Sequence, residues 1–199
     1  MTTTDLSVPT RTVDGHTVPA TGTWQLDPGH TAVEFVGRHF MMTRVRGRFT
    51  DVSGAVVIAE DPASSSVDVT ITTASVSSGS ADRDEHLRSS DFFDVERFPT
   101  AAFRSTHVDW QGGTATVTGD LTIVGVTRPV VLDVELLGVT EDPWGGIRAV
   151  FSAGTEIDRE DWGLTWNQAL EAGGVLVSKK IRIEIETETV LVPLSLIHI

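Results

Sequence analysis

The sequence has no cysteine, which excludes disulfides and thiolate metal sites alike. This does not bear on export, because many exported proteins lack disulfides. Long apolar runs are also missing: no stretch approaches the ~20 residues that a bilayer-spanning helix needs. The opening segment, MTTTDLSVPTRTVDGHTVPATGT, has no basic start followed by an apolar run. It does not read as a secretory signal, and a cytoplasmic location is expected. There is no Gly-x-Ser-x-Gly elbow, no phosphate loop and no Gly-x-Gly-x-x-Gly turn, which disfavours an acyl-transfer enzyme. Internal repeats and low-complexity linkers are lacking as well.

Basic side chains are scarce, 15 against 28 acidic ones, for a formal net charge of −13. So acidic a chain repels phosphate backbones and anionic lipid surfaces unless its basic residues cluster. The densest basic run is Arg38, Arg44, Arg46 and Arg48, with few aromatic neighbours. It reads as an arginine-bearing outer strand face, and nucleic acid is not an expected partner.

What the chain does contain is a period of two. Val33 and Phe35 oppose Glu34 and Arg38, while Val67, Val69 and Ile71 alternate with Asp68, Thr70 and Thr72. Ala115, Val117, Leu121 and Ile123 alternate with threonines, and Val175, Val177, Ile181, Ile183 and Ile185 with Ser178, Lys180, Arg182, Glu184 and Glu186. Alternation places successive side chains on opposite faces of a sheet, so each run has a dry and a wet side. Turn chemistry separates the runs at Asp61-Pro62, Gln111-Gly112-Gly113, Gly125, Asp142-Pro143 and Gly145-Gly146. About eight strands result, in one domain of 199 residues. Period alone leaves a sandwich and a closed barrel both open.

Two segments break the alternation. Ser80 to Ser90 reads as a short helix, and Arg159 to Leu170 as a helical or irregular excursion. Residues 1–22 have no period and read as a flexible tail. The last nine residues, LVPLSLIHI, follow a completed polar-apolar strand as a patternless apolar tract. They are expected to be foreign to the native chain, with the domain covering residues 23–190 and ending near Val190.

Several ordered blocks then carry a resemblance. The first is Trp24-x-x-Asp27-x-x-His30-Thr31, followed by Val33-Glu34-Phe35, His39 and Val45-Arg46-Gly47-Arg48-Phe49 ahead of Gly54. Next come Arg83-Asp84-x-His86-Leu87, Asp91-Phe92-Phe93-Asp94, Phe98-Pro99 and Phe103-x-Ser105. Gly119-Asp120-Leu121-Thr122-Ile123-x-Gly125-Val126-Thr127-x-Pro129-Val130 and Arg159-x-Asp161-Trp162-Gly163-Leu164 complete the set. From Trp24 to about Thr189 the chain resembles the YceI-like family of lipocalin-like polyisoprenoid-binding proteins. The resemblance implies an all-β fold, an eight-stranded antiparallel lipocalin-like barrel with one or two short helices and a long internal cavity. It also implies a long apolar ligand, a polyisoprenoid or a fatty-acid amide, and no catalytic activity. Thr31 stands where serine is common in the family, which keeps the hydroxyl. Many members carry a signal peptide, and this sequence departs from them there.

Within such a barrel, Val33, Phe35, Phe49, Val57, Val69 and Ile71 are expected to face the interior. Met41, Met42, Phe92, Phe93, Trp162, Leu164 and Trp166 lie outside regular alternation, where they either line the cavity mouth or pack as plain core. Arg83, Asp84 and His86 have two readings: an Arg-Asp pair that pins the short helix over one end, or a polar mouth that grips a headgroup. His30, His39 and His86 match no metal-ligand spacing and are expected to satisfy buried backbone groups or mark a polar end of the cavity; no metal or cofactor is expected. The expected function is storage or transport of the long apolar small molecule. Two alternatives stay open. One is an enzyme acting on a lipid within the cavity through His39, Arg83, Asp84 and His86, and the other a barrel filled by its own side chains. Pairing of two barrels into a homodimer is compatible with the sequence, which does not decide it.

Overall fold

Alternating apolar and polar residues can bury one face only if the sheet curls around that face, and this chain does so completely. The computed structural model describes residues 9–169 and 174–193. Eight antiparallel strands form the closed wall: β3 (Gly22–His39), β5 (Val52–Ile58), β6 (Ser66–Thr72), β8 (Thr100–Trp110), β9 (Thr114–Ile123), β10 (Val126–Glu141), β11 (Ile147–Asp158) and β12 (Lys180–Leu191). Closure comes where β12 pairs with β3, Ile183 opposite Phe35 and Ile185 opposite Val33. Eight strands leave an interior that side chains either fill or share with one small ligand.

β3 divides its second edge. Gly22–Gln25 pairs with β5, whereas Val33–His39 pairs with β4 (Thr43–Phe49), which in turn carries the two-residue β7 (Val76–Ser77). Inward side chains dominate the core. Ala115, Val117, Leu121 and Ile123 come from β9, and Val33, Phe49, Val52 and Ile71 join them in one buried cluster. A tight two-residue turn joins β9 and β10. Its residues, Val124 and Gly125, both have positive φ angles, the geometry that matches strand twist.

The second excursion opens with a 3-10 turn, Arg159–Trp162, and runs on without regular structure, so the one α-helix among the described residues is α1 (Ala81–Arg88). None of the helices among them is long and apolar enough to cross a membrane.

Three sequence expectations are corrected. Residues 10–19 are not a loose tail: β1 (Thr10–Val13) and β2 (His16–Pro19) form a hairpin through Asp14 and Gly15, both at positive φ. The hairpin is held because Val18 and Pro19 are buried against the barrel, while residues 1–8 lie outside the described residues. The last strand begins at Lys180 rather than Val175. Val175 and Val177 make isolated bridges to Ala169 and His39, and Leu176 joins Val177 in turning toward the interior. β12 also passes Val190: Leu191 packs with Trp24, and the Val192 N–H donates to the Thr23 carbonyl at 2.8 Å. Residues 194–199 of the suspect tract lie outside the described residues.

Candidate functional site

The interior is not filled by its own side chains. It holds two chambers, an upper one of about 180 Å³ and a lower one of about 510 Å³. Val33, Ile71, Leu121 and Ile183 line both, which makes them a waist. The lower chamber alone falls in the range of ~300–1,000 Å³ typical of small-molecule pockets.

The upper chamber is walled by inward residues of the strands, among them Val69, Val117, Phe103 and Phe151. Val18 and Pro19 of the β1–β2 hairpin add to its wall. The residues on it that carry polar groups, threonines, Ser65, Trp110 and Arg11, present their apolar atoms to it. Arg11 donates to the carbonyls of Ala59 and Glu60 and lies 3.9 Å from the Glu60 carboxylate.

The lower chamber is more polar at its rim. Phe35, Phe49, Phe93 and Leu164 give it an apolar wall, with the Phe35 and Phe49 ring centres 5.7 Å apart and Phe49 and Phe93 5.4 Å apart. Phe35 has room because Gly47 stands opposite it on β4, where any Cβ would overlap the ring. Across the mouth, His86, Phe92 and Trp166 stack edge to face, with His86 4.5 Å from Trp166 and 5.0 Å from Phe92. This aromatic cluster joins the α1 segment to the excursion after β11. His86 Nε2 also lies 2.8 Å from the Asp91 carboxylate. His39 and Arg83 complete the expected residues found at this chamber.

Five expected lining residues are elsewhere. Met41 and Met42 are 52% and 75% exposed, at the tip of the β3–β4 hairpin. Val57 points outward and is 42% exposed, while Val56 beside it lines the upper chamber. Trp162 is core: its indole N–H donates to the Leu121 carbonyl at 2.9 Å, behind the chamber wall. Asp84 turns away from the chamber to accept from the N–H and hydroxyl of Ser78. No Arg83–Asp84 ion pair forms. Arg83 also binds Ser78, through Nε to the hydroxyl and Nη2 to the carbonyl, so Ser78 is the pin that holds α1.

His30 stands on the outer face and lines neither chamber. Its Nδ1 is 2.9 Å from Asp27, whose carboxylate also accepts from Arg148 at 2.6 Å. Asp27, His30 and Glu188 bring ligand-type atoms within 4.8 Å of one another, and Arg148 donates to both carboxylates of this group. Asp27 is thereby lowered to about 2, chiefly by the hydrogen bond from Arg148 and next by that from His30.

Among the lower-chamber residues that the sequence reading did not name as ligand-binding is a buried charge, Arg159, which is 3% exposed. A signal for it exists. Ala149, Phe151, Ala153, Thr155 and Ile157 mark the inward register of β11, and Arg159 is the next residue in step. Burial lowers its guanidinium from the ordinary arginine value.

The model of the YceI-like domain matches residues 24–189. The chain belongs to the YceI-like family. A UPF0312 protein of Pseudomonas aeruginosa is 43% identical over 136 residues, covering 68% of this chain and 71% of that protein. The Campylobacter jejuni YceI protein superposes with a TM-score of 0.68 at 30% identity, over 78% of this chain and 90% of that one. A polyisoprenoid-binding domain from Saccharophagus degradans, implicated in plant cell wall breakdown, shares the fold at a TM-score of 0.61 and 16% identity, covering 85% and 98% of the two chains. Among the family's blocks, the Trp24-to-Thr31 run is structural here. Trp24 is fully buried and donates to the Ala20 carbonyl at 3.0 Å, and Asp27 caps the bend of β3 through the Gly29 N–H.

Proposed function

We propose that this YceI-like barrel binds a long apolar chain, a polyisoprenoid or fatty-acid-amide-like molecule, and serves as its store or carrier. The observation that carries the reading is the pair of chambers meeting at Val33, Ile71, Leu121 and Ile183, walled mostly by aliphatic and aromatic side chains. Each CH₂ moved from water to such a wall contributes about 0.8 kcal/mol, so a five-carbon isoprene unit yields several kcal/mol gross. Association costs on the order of 4–15 kcal/mol, which a few units offset without a strong polar anchor. The description of the Saccharophagus degradans barrel as polyisoprenoid-binding supports the choice of chain.

The test is mass spectrometry of organic extracts from protein purified without detergent. A long-chain lipid, released in stoichiometric amount on denaturation, is the expected result. An empty protein that also fails to take up any long-chain lipid offered to it overturns the reading.

A further inference from the structure

We propose that the ligand carries an anionic head, a carboxylate or a phosphate monoester, and that the head sits in the lower chamber beside Arg159 with the tail directed through the waist. This rests on the reading that the barrel holds a long apolar chain, and adds its chemical class and its orientation.

The first observation is a buried guanidinium with a free donor and no direct ion pair among the described residues. Arg159 is 3% exposed, and its Nε donates to the Ser178 carbonyl at 3.0 Å while Nη1 donates to the Leu164 carbonyl. Nη2 is closed off from solvent and has no hydrogen-bond partner among the described residues. The carboxylates of its sequence neighbours, Asp158 and Glu160, act on it only at longer range, and each has a closer partner: Glu160 is 2.7 Å from Lys179, and Asp158 accepts from the Glu160 N–H. Carbonyl dipoles orient a guanidinium but do not cancel its charge, and arginine stays protonated where lysine would yield its proton. The free Arg159 donor therefore borders a low-dielectric chamber, where an anion gains far more from a guanidinium than in water.

The second observation is the asymmetry between the chambers. Arg38, Arg83 and Arg159 border the lower chamber together with Glu34 and Asp82; Arg159 is the buried one, while Arg38, Arg83 and Asp82 are exposed. Glu34 already lies 3.7 Å from Arg46, and Arg38 makes no ion pair among the described residues. The upper lining has the single guanidinium of Arg11, which donates to two carbonyls and, unlike Arg159, has a carboxylate, Glu60, at 3.9 Å. An amphiphile with an anionic head thus has one favourable direction, head low and tail high.

Matched pairs test this: palmitate against hexadecanol, and geranylgeranyl phosphate against geranylgeraniol, each displacing a fluorescent lipid probe at low salt. Each tail is shared within its pair, so the difference reads the head. The anion is expected to bind at least about tenfold more tightly than its alcohol in one pair or both, and the favoured pair distinguishes carboxylate from phosphate. Arg159→Met should lose the preference. Because Arg159 also holds two carbonyls, Arg159→Met could fail to fold. A second readout uses the native chain: the side-chain ¹⁵N resonances of Arg159 should shift on adding the preferred anion and not its alcohol. Equal binding of anion and alcohol, or an Arg159 signal that ignores the anion, overturns the proposal and leaves apolar binding intact. Failure of all four compounds to bind removes the underlying reading, and the proposal with it.

Discussion

Arg148 donates to Asp27 at 2.6 Å, Asp142 at 2.9 Å and Glu188 at 3.0 Å, so one guanidinium ties β3, the β10–β11 turn and β12 together at the barrel seam. Both Asp27 and Asp142 are lowered from their ordinary value of 3.8, Asp27 to about 2 mainly through Arg148, Asp142 mainly through the Gly146 N–H. A carboxylate lowered on folding stabilises the native state fully above its ordinary pKa, and that contribution fades as pH falls through the folded value. Urea unfolding followed against pH should therefore show stability lost as pH falls from 3.8 toward about 2. Arg148→Met should begin about 1–2 kcal/mol lower at neutral pH, with a flatter acid limb, because three carboxylates are left facing one another. An unchanged acid limb contradicts the assignment. Single residues were readable where alternation was unambiguous: Val33, Val69 and Ile71 point inward as their period requires. Val57 misled because Val56-Val57-Ile58 is apolar in both registers, so composition could not say which residue faces in. Arg159 was not named as a lining residue for the opposite reason: its charge hid an inward position that the register of β11 requires.

The β1–β2 hairpin shows how short elements depend on contacts remote in sequence. Its Asp14-Gly15 turn was visible as turn chemistry, but the flanking Thr-Arg-Thr-Val and His-Thr-Val-Pro have too little apolar alternation to declare strands. Burial of Val18 and Pro19 against the barrel, together with Arg11 reaching the carbonyls after β5, supplies what the local sequence lacks. Gly15 at φ 81 is the position that only glycine fills without strain. Gly15→Val should cost the hairpin about 1–2 kcal/mol, since a β-branched residue is disfavoured in that conformation. Hydrogen exchange should show faster opening at Thr17 and Val18, with the barrel strands unaffected. Equal protection in both proteins would show that the turn does not hold the hairpin. α1 was foreseen from its broken alternation, but its anchoring was not. Neighbouring helix positions point in different directions, and only the folded chain reveals that Arg83 and Asp84 converge on Ser78 rather than on each other.

Barrel closure joins Arg182 to Val36 and Thr187 to Thr31, strands separated by most of the chain. No local period contains that information, so alternation reached an all-β domain of about eight strands, and the ordered family blocks reached the barrel. The unfilled interior was further from view, because a cavity depends on which inward positions are small or turned aside. Glycines facing Phe35 and Phe103, and Met41 and Met42 placed outside, are features of the assembled wall. The central claim is that a single chain occupies both chambers through the waist, and its most direct measurement is affinity across a series of neutral n-alkanols of increasing length. Affinity should keep rising as methylenes are added, by up to about fourfold each from about 0.8 kcal/mol per CH₂, until the chain outgrows both chambers. A plateau at the length that fills the lower chamber alone, unaltered when Leu121 at the waist is trimmed to alanine, would contradict it.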